Sequence, residues 1–179
     1  MTEDDFVDFC IRNKDLRIER SKEGDILIMP PTFGKTGKYN FRLAVQFGNW
    51  MNRDGTGEAY DSSTAFTLPN GAVRSPDLSW ILTDRWNALS AAAQNKFPRI
   101  CPDFLIELRS ETDRLPVVKS KMEEYIENGA QLGWLIDPID RRVYVYRQGQ
   151  EVEILDDPQT VSGDPVLNGF VLDLAAVWD

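Results

Sequence analysis

The chain has 179 residues, of which 42% are hydrophobic and 27% charged, and its formal net charge is -9 at pH 7. These values are typical of one globular domain with a substantial core, and they exclude a largely disordered protein. The absence of histidine excludes every site that uses imidazole, and the acidic balance means that any nucleic-acid site must be local.

The N-terminal part of the chain predicts a helix followed by a β-hairpin. Thr2 and Asp5 have the spacing of a capping box, which predicts a helix over residues 2–13. Residues 16–20 and 25–29 alternate apolar and polar side chains on either side of a polar, glycine-containing turn. We expect these two stretches to pair as the hairpin.

A longer helix and two strands follow. Large apolar side chains recur at helical spacing over residues 38–52, which predicts a helix with one face in the core. Residues 58–68 are rich in β-formers, and a Pro-Asn-Gly turn leads from them into an apolar stretch over residues 76–81. Thr83 and Asp84 then predict the start of a helix that ends near residue 94.

The second half of the chain predicts a strand, a helix and a second strand. Residues 102–108 and 132–138 are apolar stretches, and between them a helix begins near Pro116 and ends by residue 128. A passage of this length implies a parallel crossover between buried strands. We expect a further hairpin over residues 142–155 and a docked tail over residues 170–178.

Two of the predicted strands carry acids among apolar residues. Asp77 follows Pro76 at the start of one strand, and Glu107 lies between Ile106 and Leu108 in the other. A buried ionised carboxylate is costly unless a cation or hydrogen-bond donors meet it. Because Mg²⁺ binds oxygen ligands and needs only one or two protein carboxylates, these acids predict a metal site.

Structural interpretations of the same residues remain open. Asp77 can begin a strand through an Asx turn. A structural role is favoured for Asp103, in the second Pro-Asp pair, because it lies at the start of the strand, four residues before Glu107. Glu107 can lie on an exposed strand face and form a salt bridge with Arg109. Three further polar residues are interpreted as turn or packing residues: Ser110, Tyr125 and Asp137.

The cysteines, the N-terminal residues and the apolar runs indicate the cellular compartment of the protein. Cys10 and Cys101 are too few and too far apart for a disulfide framework or a zinc site, so we interpret them as reduced core residues. The acidic first five residues do not resemble a signal peptide, and no apolar run approaches the roughly 20 residues of a membrane-spanning helix. These features predict a cytoplasmic protein without a membrane partner.

Four motifs follow one another along the chain: Pro-Asp at 76–77, Pro-Asp-x-x-x-Glu at 102–107, Lys-x-x-x-Tyr at 121–125 and Trp-Leu-Ile-Asp-Pro at 134–138. The order of these motifs resembles that of a known family. It is similar to that of the Uma-type restriction endonucleases, a branch of the PD-(D/E)xK nuclease superfamily, over about residues 15–178. The resemblance implies an α/β (α+β) fold, in which helices flank a restriction endonuclease-like mixed central sheet, with a hairpin and a helix at the N-terminus. It also implies a single domain over residues 1–179, in which residues 1–14 add the N-terminal helix.

The same resemblance implies a site and a reaction. Asp77 matches the metal-binding Asp of the family and Glu107 its second acidic ligand, with Mg²⁺ as the metal and Mn²⁺ as a substitute. Lys121 matches the catalytic Lys, which in this family lies on the helix four residues before an aromatic, and Lys119 is the alternative. The implied reaction is hydrolysis of DNA phosphodiester bonds. Cleavage of both strands favours a homodimer.

The chain departs from the family pattern at two positions. Asn40 stands where relatives often carry His, and Arg109 places a charged residue close to the implied metal. Arg109 can help to bind phosphate, or it can compete with the metal for Glu107. A catalytically inactive binding or structural protein on the same fold is therefore the alternative to an active nuclease.

Overall fold

A computed structural model describes residues 1–178, apart from the side chain of Ala176, so Asp179 of the predicted 1–179 domain lies outside the described residues. The helices are α1 (Glu3–Arg12), α2 (Gly34–Asp54), α3 (Thr83–Asn87), α4 (Ala91–Gln94), α5 (Leu115–Glu127) and α6 (Ala175–Trp178). The strands are β1 (Arg17–Arg20), β2 (Ile26–Met29), β3 (Gly57–Asp61), β4 (Phe66–Thr67), β5 (Val73–Arg74), β6 (Leu78–Leu82), β7 (Phe104–Leu108), β8 (Leu132–Asp137), β9 (Arg142–Arg147), β10 (Glu153–Asp156), β11 (Thr160–Ser162) and β12 (Val171–Asp173).

A six-stranded mixed sheet forms the centre of the protein, in the order β10-β9-β8-β7-β6-β3. Strands β7 and β8 are parallel and are connected through α5, whereas their neighbours in the sheet pair antiparallel. The structure therefore confirms the predicted parallel crossover. It also confirms the predicted mixed α/β architecture.

A smaller sheet places the N-terminal hairpin beside the segment that leads into β6 of the central sheet. Its order is β2-β1-β5-β4, with β1 and β2 paired antiparallel as predicted. The partner of Arg20 is Val73, so β1 lies beside the segment that leads into β6. This pairing is what later places a residue of β1 near the two acids of the central sheet.

Helices cover both faces of the central sheet. On one face, Phe47 of α2 stacks on Phe104 of β7, with 5.5 Å between ring centroids. On the other face, Met122 of α5 packs in a cluster with Leu105 of β7. Since side chains alternate along a strand, Glu107 lies on the same side as Leu105, under α5.

The predicted helix over residues 83–94 is wrong. The chain forms two short helices there, and Leu82 rather than Thr83 is the N-cap of the first, without a side-chain hydrogen bond. Ser90 is extended and caps the second helix, because its Oγ accepts the N–H of Ala93 over 3.2 Å. A second cap inside the stretch interrupts the helix that the apolar spacing had favoured.

The boundaries of other helices and strands also differ from the predicted ones. Helix α2 begins at Gly34, four residues before the predicted start, and residues 58–68 divide between β3 and β4, which belong to different sheets. The tail docks as predicted, but it also pairs β11 with β12, which the sequence did not indicate. None of the described helices, the 21-residue α2 included, is both long and apolar enough to cross a membrane.

Candidate active site

Asp77 and Glu107 lie opposite each other at one end of the β6–β7 pair. The antiparallel register pairs Leu78 with Ile106, so the next position along sets Asp77 against Glu107. The charges of Asp77 and Lys121 both act on the Glu107 carboxylate, so the three side chains lie close together. The backbone N–H of Leu108 also donates to Asp77 Oδ2 over 2.9 Å.

Glu107 is buried, with only 7% of its surface exposed. The interpretation of Glu107 as part of an exposed strand face is therefore wrong. Its side chain points under α5, where apolar residues of β7 and β8 surround it. A carboxylate in this position needs partners, and α5 supplies them.

Lys121 and Tyr125 of α5 both reach Glu107. The Nζ of Lys121 lies 2.8 Å from Glu107 Oε1, and the Tyr125 hydroxyl donates to the same oxygen over 3.0 Å. Residues four apart share one side of a helix, so the Lys-x-x-x-Tyr spacing is explained by a common acceptor. Tyr125 is a packing residue, as expected, and a hydrogen-bond donor as well. Lys119 instead lies over the ring of Tyr144, 4.0 Å from its centroid.

Glu19 of β1 belongs to the same cluster, and sequence reasoning missed it. Its Oε1 accepts from Lys121 Nζ and from the backbone N–H of Ser75, each over 2.9 Å. Its Oε2 accepts from Arg74 over 3.3 Å. The only signal in the sequence was an acid in a short strand, a pattern that exposed strands also show.

One ammonium group therefore faces three carboxylates. Burial, together with the nearby charges of Asp77 and Glu19, raises the pKa of Glu107 to about 7 against the opposing effect of Lys121. Burial also raises the pKa of Asp77. Arg17 also lies 3.7 Å from Asp77 and Arg74 lies 3.3 Å from Glu19, so three cations face the three carboxylates. Burial is the main cause of the raised pKa values of Glu107 and Asp77.

The other two members of the cluster are held in their charged forms. Burial alone would raise the pKa of Glu19, but Lys121, the Ser75 amide and Arg74 hold it below its ordinary value. Burial would lower the pKa of Lys121, but Glu107 and Glu19 together raise it above its ordinary value. Lys121 is therefore an ammonium group at neutral pH.

The cluster lines a cleft of about 970 Å³. Residues of β1, β2 and the segment before α2 form one part of its lining, and residues along the length of α5 form another. Glu19, Asp77, Glu107 and Lys121 all belong to this lining. A ligand that enters the cleft therefore meets carboxylates and an ammonium group together.

The donor atoms in the cleft fit a hard cation that is only partly held by protein. Within residues 1–178, no group of three or more His, Cys, Asp or Glu side chains is arranged to hold a metal ion by itself. Asp77 and Glu107 nevertheless supply carboxylate oxygens, and Mg²⁺ commonly takes one or two of these and completes its shell with water and phosphate. Burial raises the pKa of both carboxylates, and a bound cation would stabilise their ionised forms.

Arg109 points away from this cluster. Its NH1 lies 2.7 Å from Asp137 Oδ2 and 3.2 Å from Asp140 Oδ2. Both interpretations that set Arg109 against Glu107 are wrong, because β7 ends at Leu108 and the Arg109 side chain turns towards the end of β8. Asp137 also accepts the N–H of Ile139 over 3.0 Å, which confirms it as a strand-ending turn residue.

The remaining polar residues have structural roles. Asp103 pairs with Arg85 over 2.6 Å, which confirms the structural interpretation. Ser110 donates through its Oγ to Asp113 over 2.7 Å and is a turn residue, as predicted. Asn40 lies on α2, where its Oδ1 is buried without a hydrogen-bond partner, and it is not among the residues that line the cleft.

Comparison with known proteins agrees with this fold. The family model described as Uma2, "Putative restriction endonuclease", matches residues 3–175. A crystal structure described as a putative nuclease belonging to DUF820, from Anabaena variabilis ATCC 29413, aligns with a TM-score of 0.76 and 24% sequence identity. The alignment covers 90% of this chain and 89% of that one, so the two share their fold over almost their whole lengths. No curated protein matches the chain.

Proposed function

The chain belongs to the Uma2 putative restriction endonuclease family, and on this basis we propose that it is a metal-dependent endonuclease that hydrolyses DNA phosphodiester bonds. The observation that carries the proposal is the meeting of Asp77, Glu107 and Lys121 in one cleft. A phosphodiester is shielded by its own negative charge, so hydrolysis needs a cation, an activated water and stabilisation of the charge that develops. In a chain without histidine, carboxylates can hold the cation, and an ammonium group can orient the water or stabilise the developing charge.

Asp77 and Glu107 would hold the metal, Mg²⁺ in the first instance and Mn²⁺ as a substitute. When bound, the cation would supply positive charge for the phosphate and lower the pKa of the attacking water. The hydrogen bond from Leu108 N–H to Asp77 and that from Tyr125 to Glu107 hold the two carboxylates in position. Ligands fixed in this way lose little entropy when the metal binds.

Lys121 would act as a donor and not as a base. Its raised pKa keeps it protonated at neutral pH, so it can orient the attacking water or stabilise charge that develops on the phosphate. Glu19, fixed by Ser75 and Arg74, would hold the ammonium group of Lys121 in place. In this scheme Glu19 is a positioning residue.

Cleavage of both strands of a duplex would require two such sites. One site per chain makes a homodimer the simplest arrangement, since two-fold symmetry presents equivalent sites to the two antiparallel strands. The support for a homodimer is this symmetry argument alone. Sedimentation of the protein with and without DNA would give the oligomeric state.

The proposal is tested by cleavage and by metal binding in the same variants. We expect the protein to cut DNA in Mg²⁺ or Mn²⁺ and not in EDTA, and Asp77→Asn and Glu107→Gln to reduce the rate by about 100-fold or more. Glu127→Gln is the matched control: it removes the same charge from the cleft lining, but at an exposed residue. If Asp77→Asn and Glu107→Gln bind Mg²⁺ as tightly as the parent in calorimetry, these residues are not the metal site.

One observation favours a second function, that of a catalytically inactive binding or structural protein. The lining of the cleft is acidic, whereas binding of nucleic acid depends on Lys and Arg. Such a protein would show no Mg²⁺-dependent cleavage of any DNA form, and its Mg²⁺ affinity would not depend on Asp77 or Glu107. The same experiment therefore separates the two functions.

A further inference from the structure

Part of the cleft next to the Asp77–Glu107 pair is apolar and exposed. Leu27 and Ile28 of β2 line it and are 42% and 56% exposed. Phe33, just before α2, and Val117, in the first turn of α5, line it as well and are 61% and 60% exposed. Large apolar side chains grouped around a functional cleft are typical of a surface that a ligand covers. We call these four residues the apolar wall.

The same cleft is poor in cations for a nucleic-acid site. Eight acidic and four basic side chains line it. Three of the four basic residues lie beside acids: Arg17 is 3.7 Å from Asp77, Arg74 is 2.6 Å from Glu124, and Lys121 is 2.8 Å from Glu107. The fourth, Lys22, is exposed. Proteins that bind along a duplex gain affinity by neutralising many phosphates with Lys and Arg. This cleft is not built for that mode of binding.

The depth of the catalytic carboxylates also disfavours an intact duplex. Glu107 is 7% exposed and the side chain of Asp77 is 12% exposed, so a phosphate must enter the cleft to approach them. A cleft of about 970 Å³ lies at the upper end of the range for small-ligand pockets, roughly 300–1,000 Å³. That space suits one or two nucleotides of a single strand.

We propose that the cleft binds unpaired nucleotides, with a base against the apolar wall and the adjoining phosphate at Asp77 and Glu107. The substrate is then single-stranded DNA, or a duplex with an unpaired segment such as a flap, a bubble or a frayed end. The faces of a base are open to an apolar surface or an aromatic ring only when the base has left its stack, and contact of this kind tolerates any sequence. Phe33 supplies the aromatic ring. The inference rests on the proposed function for the position of the phosphate.

The test compares DNA forms and two exposed phenylalanines. Binding is measured in Ca²⁺, which takes the same oxygen ligands as Mg²⁺, by anisotropy and by the fluorescence of 2-aminopurine placed in a single strand, a bubble or a duplex. Phe33→Ala is the variant and Phe33→Tyr keeps the ring. Phe41→Ala is the matched control, because Phe41 is 71% exposed on α2 and does not line the cleft. Circular dichroism checks that every variant is folded.

We expect the parent to bind the single strand and the bubble at least tenfold more tightly than the duplex, with a shallow dependence of affinity on salt. Phe33→Ala should weaken binding of the single strand by about tenfold, within the range for loss of one aromatic stack, and abolish the change in 2-aminopurine fluorescence. Phe33→Tyr and Phe41→Ala should bind like the parent. Equal or better binding of the duplex, equal effects of Phe33→Ala and Phe41→Ala, or no binding of the single strand would each overturn the inference.

Cleavage in Mg²⁺ is measured separately, so that the two proposals can fail separately. If the parent cuts no DNA but binds the single strand through Phe33, the nuclease proposal fails and the binding site stands. If the parent cuts the duplex in preference and Phe33→Ala cuts at the same rate, the nuclease proposal stands and the unpaired-nucleotide site is overturned. The unpaired-nucleotide site is also overturned if Phe33→Ala changes the self-association of the protein in sedimentation and leaves its DNA binding unchanged.

Discussion

Lys121 lies 2.9 Å from Glu19, although 102 positions separate the two residues in the chain. Glu19 is itself fixed by the Ser75 amide and by Arg74, so it is an anchor for the ammonium group and not a mobile counter-ion. The same ammonium lies 2.8 Å from Glu107. The position of Lys121 in the cleft is therefore set by two carboxylates from two different sheets.

We predict that Glu19→Gln lowers the cleavage rate through Lys121. An amide keeps the shape of Glu19 but no longer holds the ammonium group by charge, and a misplaced catalytic group can reduce kcat by about 10- to 100-fold. We expect kcat to fall while KM stays near that of the parent. The measurement is steady-state kinetics in saturating Mg²⁺.

Glu123→Gln is the control for that variant, because Glu123 lines the same cleft, is exposed and carries the same charge. A role of Glu19 through Lys121 also predicts that the pH–rate profile shifts in Glu19→Gln and not in Glu123→Gln. Equal kinetics for the two variants would show that only the overall charge of the cleft matters.

We predict that Lys121 affects the cleavage rate far more than Lys119, although the two lysines are only two residues apart on α5. Lys121→Met removes the ammonium group beside Glu107 and should reduce kcat by about 100- to 1,000-fold. Lys119→Met removes a cation that lies over the Tyr144 ring and should leave kcat within about threefold, since loss of a cation–π contact costs only about 1 kcal/mol of stability. The measurement is single-turnover cleavage. If Lys119→Met loses more activity than Lys121→Met, Lys119 and not Lys121 is the catalytic lysine.

We predict that Glu107 makes the metal-free protein less stable as the pH rises. Its folded pKa of about 7 lies above the ordinary value of 4.5, so the folded state binds this proton more tightly than the unfolded state. Its contribution is full below pH 4.5 and is lost as the pH rises to about 7, a fall of at most about 3 kcal/mol in the free energy of unfolding. Mg²⁺ should restore stability above pH 7 by neutralising the carboxylate.

Glu107→Gln is the variant that isolates this effect, because an amide does not titrate. In urea denaturation in EDTA, the free energy of unfolding of the variant should lack the fall between pH 4.5 and 7 that the parent shows. Added Mg²⁺ should stabilise the parent at pH 8 and leave the variant almost unchanged. A parent and a variant with the same pH dependence would contradict the prediction.

We predict that Arg109 matters for stability and not for metal binding. Arg109→Gln leaves the buried Asp137 without its cation, and loss of one partner of a buried ion pair costs about 3 kcal/mol or more. The loss should appear as a lower free energy of unfolding, with an unchanged affinity for Mg²⁺ in calorimetry. The double variant Arg109→Gln, Asp137→Asn should recover part of the stability. Weaker Mg²⁺ binding in a folded Arg109→Gln would return Arg109 to the metal site.

Much of the site was predictable because its motifs are local. Asp77 and Glu107 stand out as acids inside apolar strands, and the resemblance to the family selected Lys121 over Lys119. The structure brings these three together, while their catalytic roles remain predictions. Glu19 escaped notice because its partners Lys121, Ser75 and Arg74 are 55 or more residues away in the chain. The residues next to Glu19 in the sequence did not indicate a functional role.

By itself the sequence determined the type and order of most elements, since the period of apolar residues, the turn residues and the caps act over a few positions. It did not determine where the helix over residues 83–94 would break, because the interrupting cap of Ser90 competed with an equally regular apolar spacing. Only the tertiary structure decided that β1 lies beside the segment before β6, that Arg109 turns to Asp137, and that four exposed apolar residues from three segments face one cleft. These relationships depend on strand register and on which faces pack together, and such contacts join residues that the sequence keeps far apart.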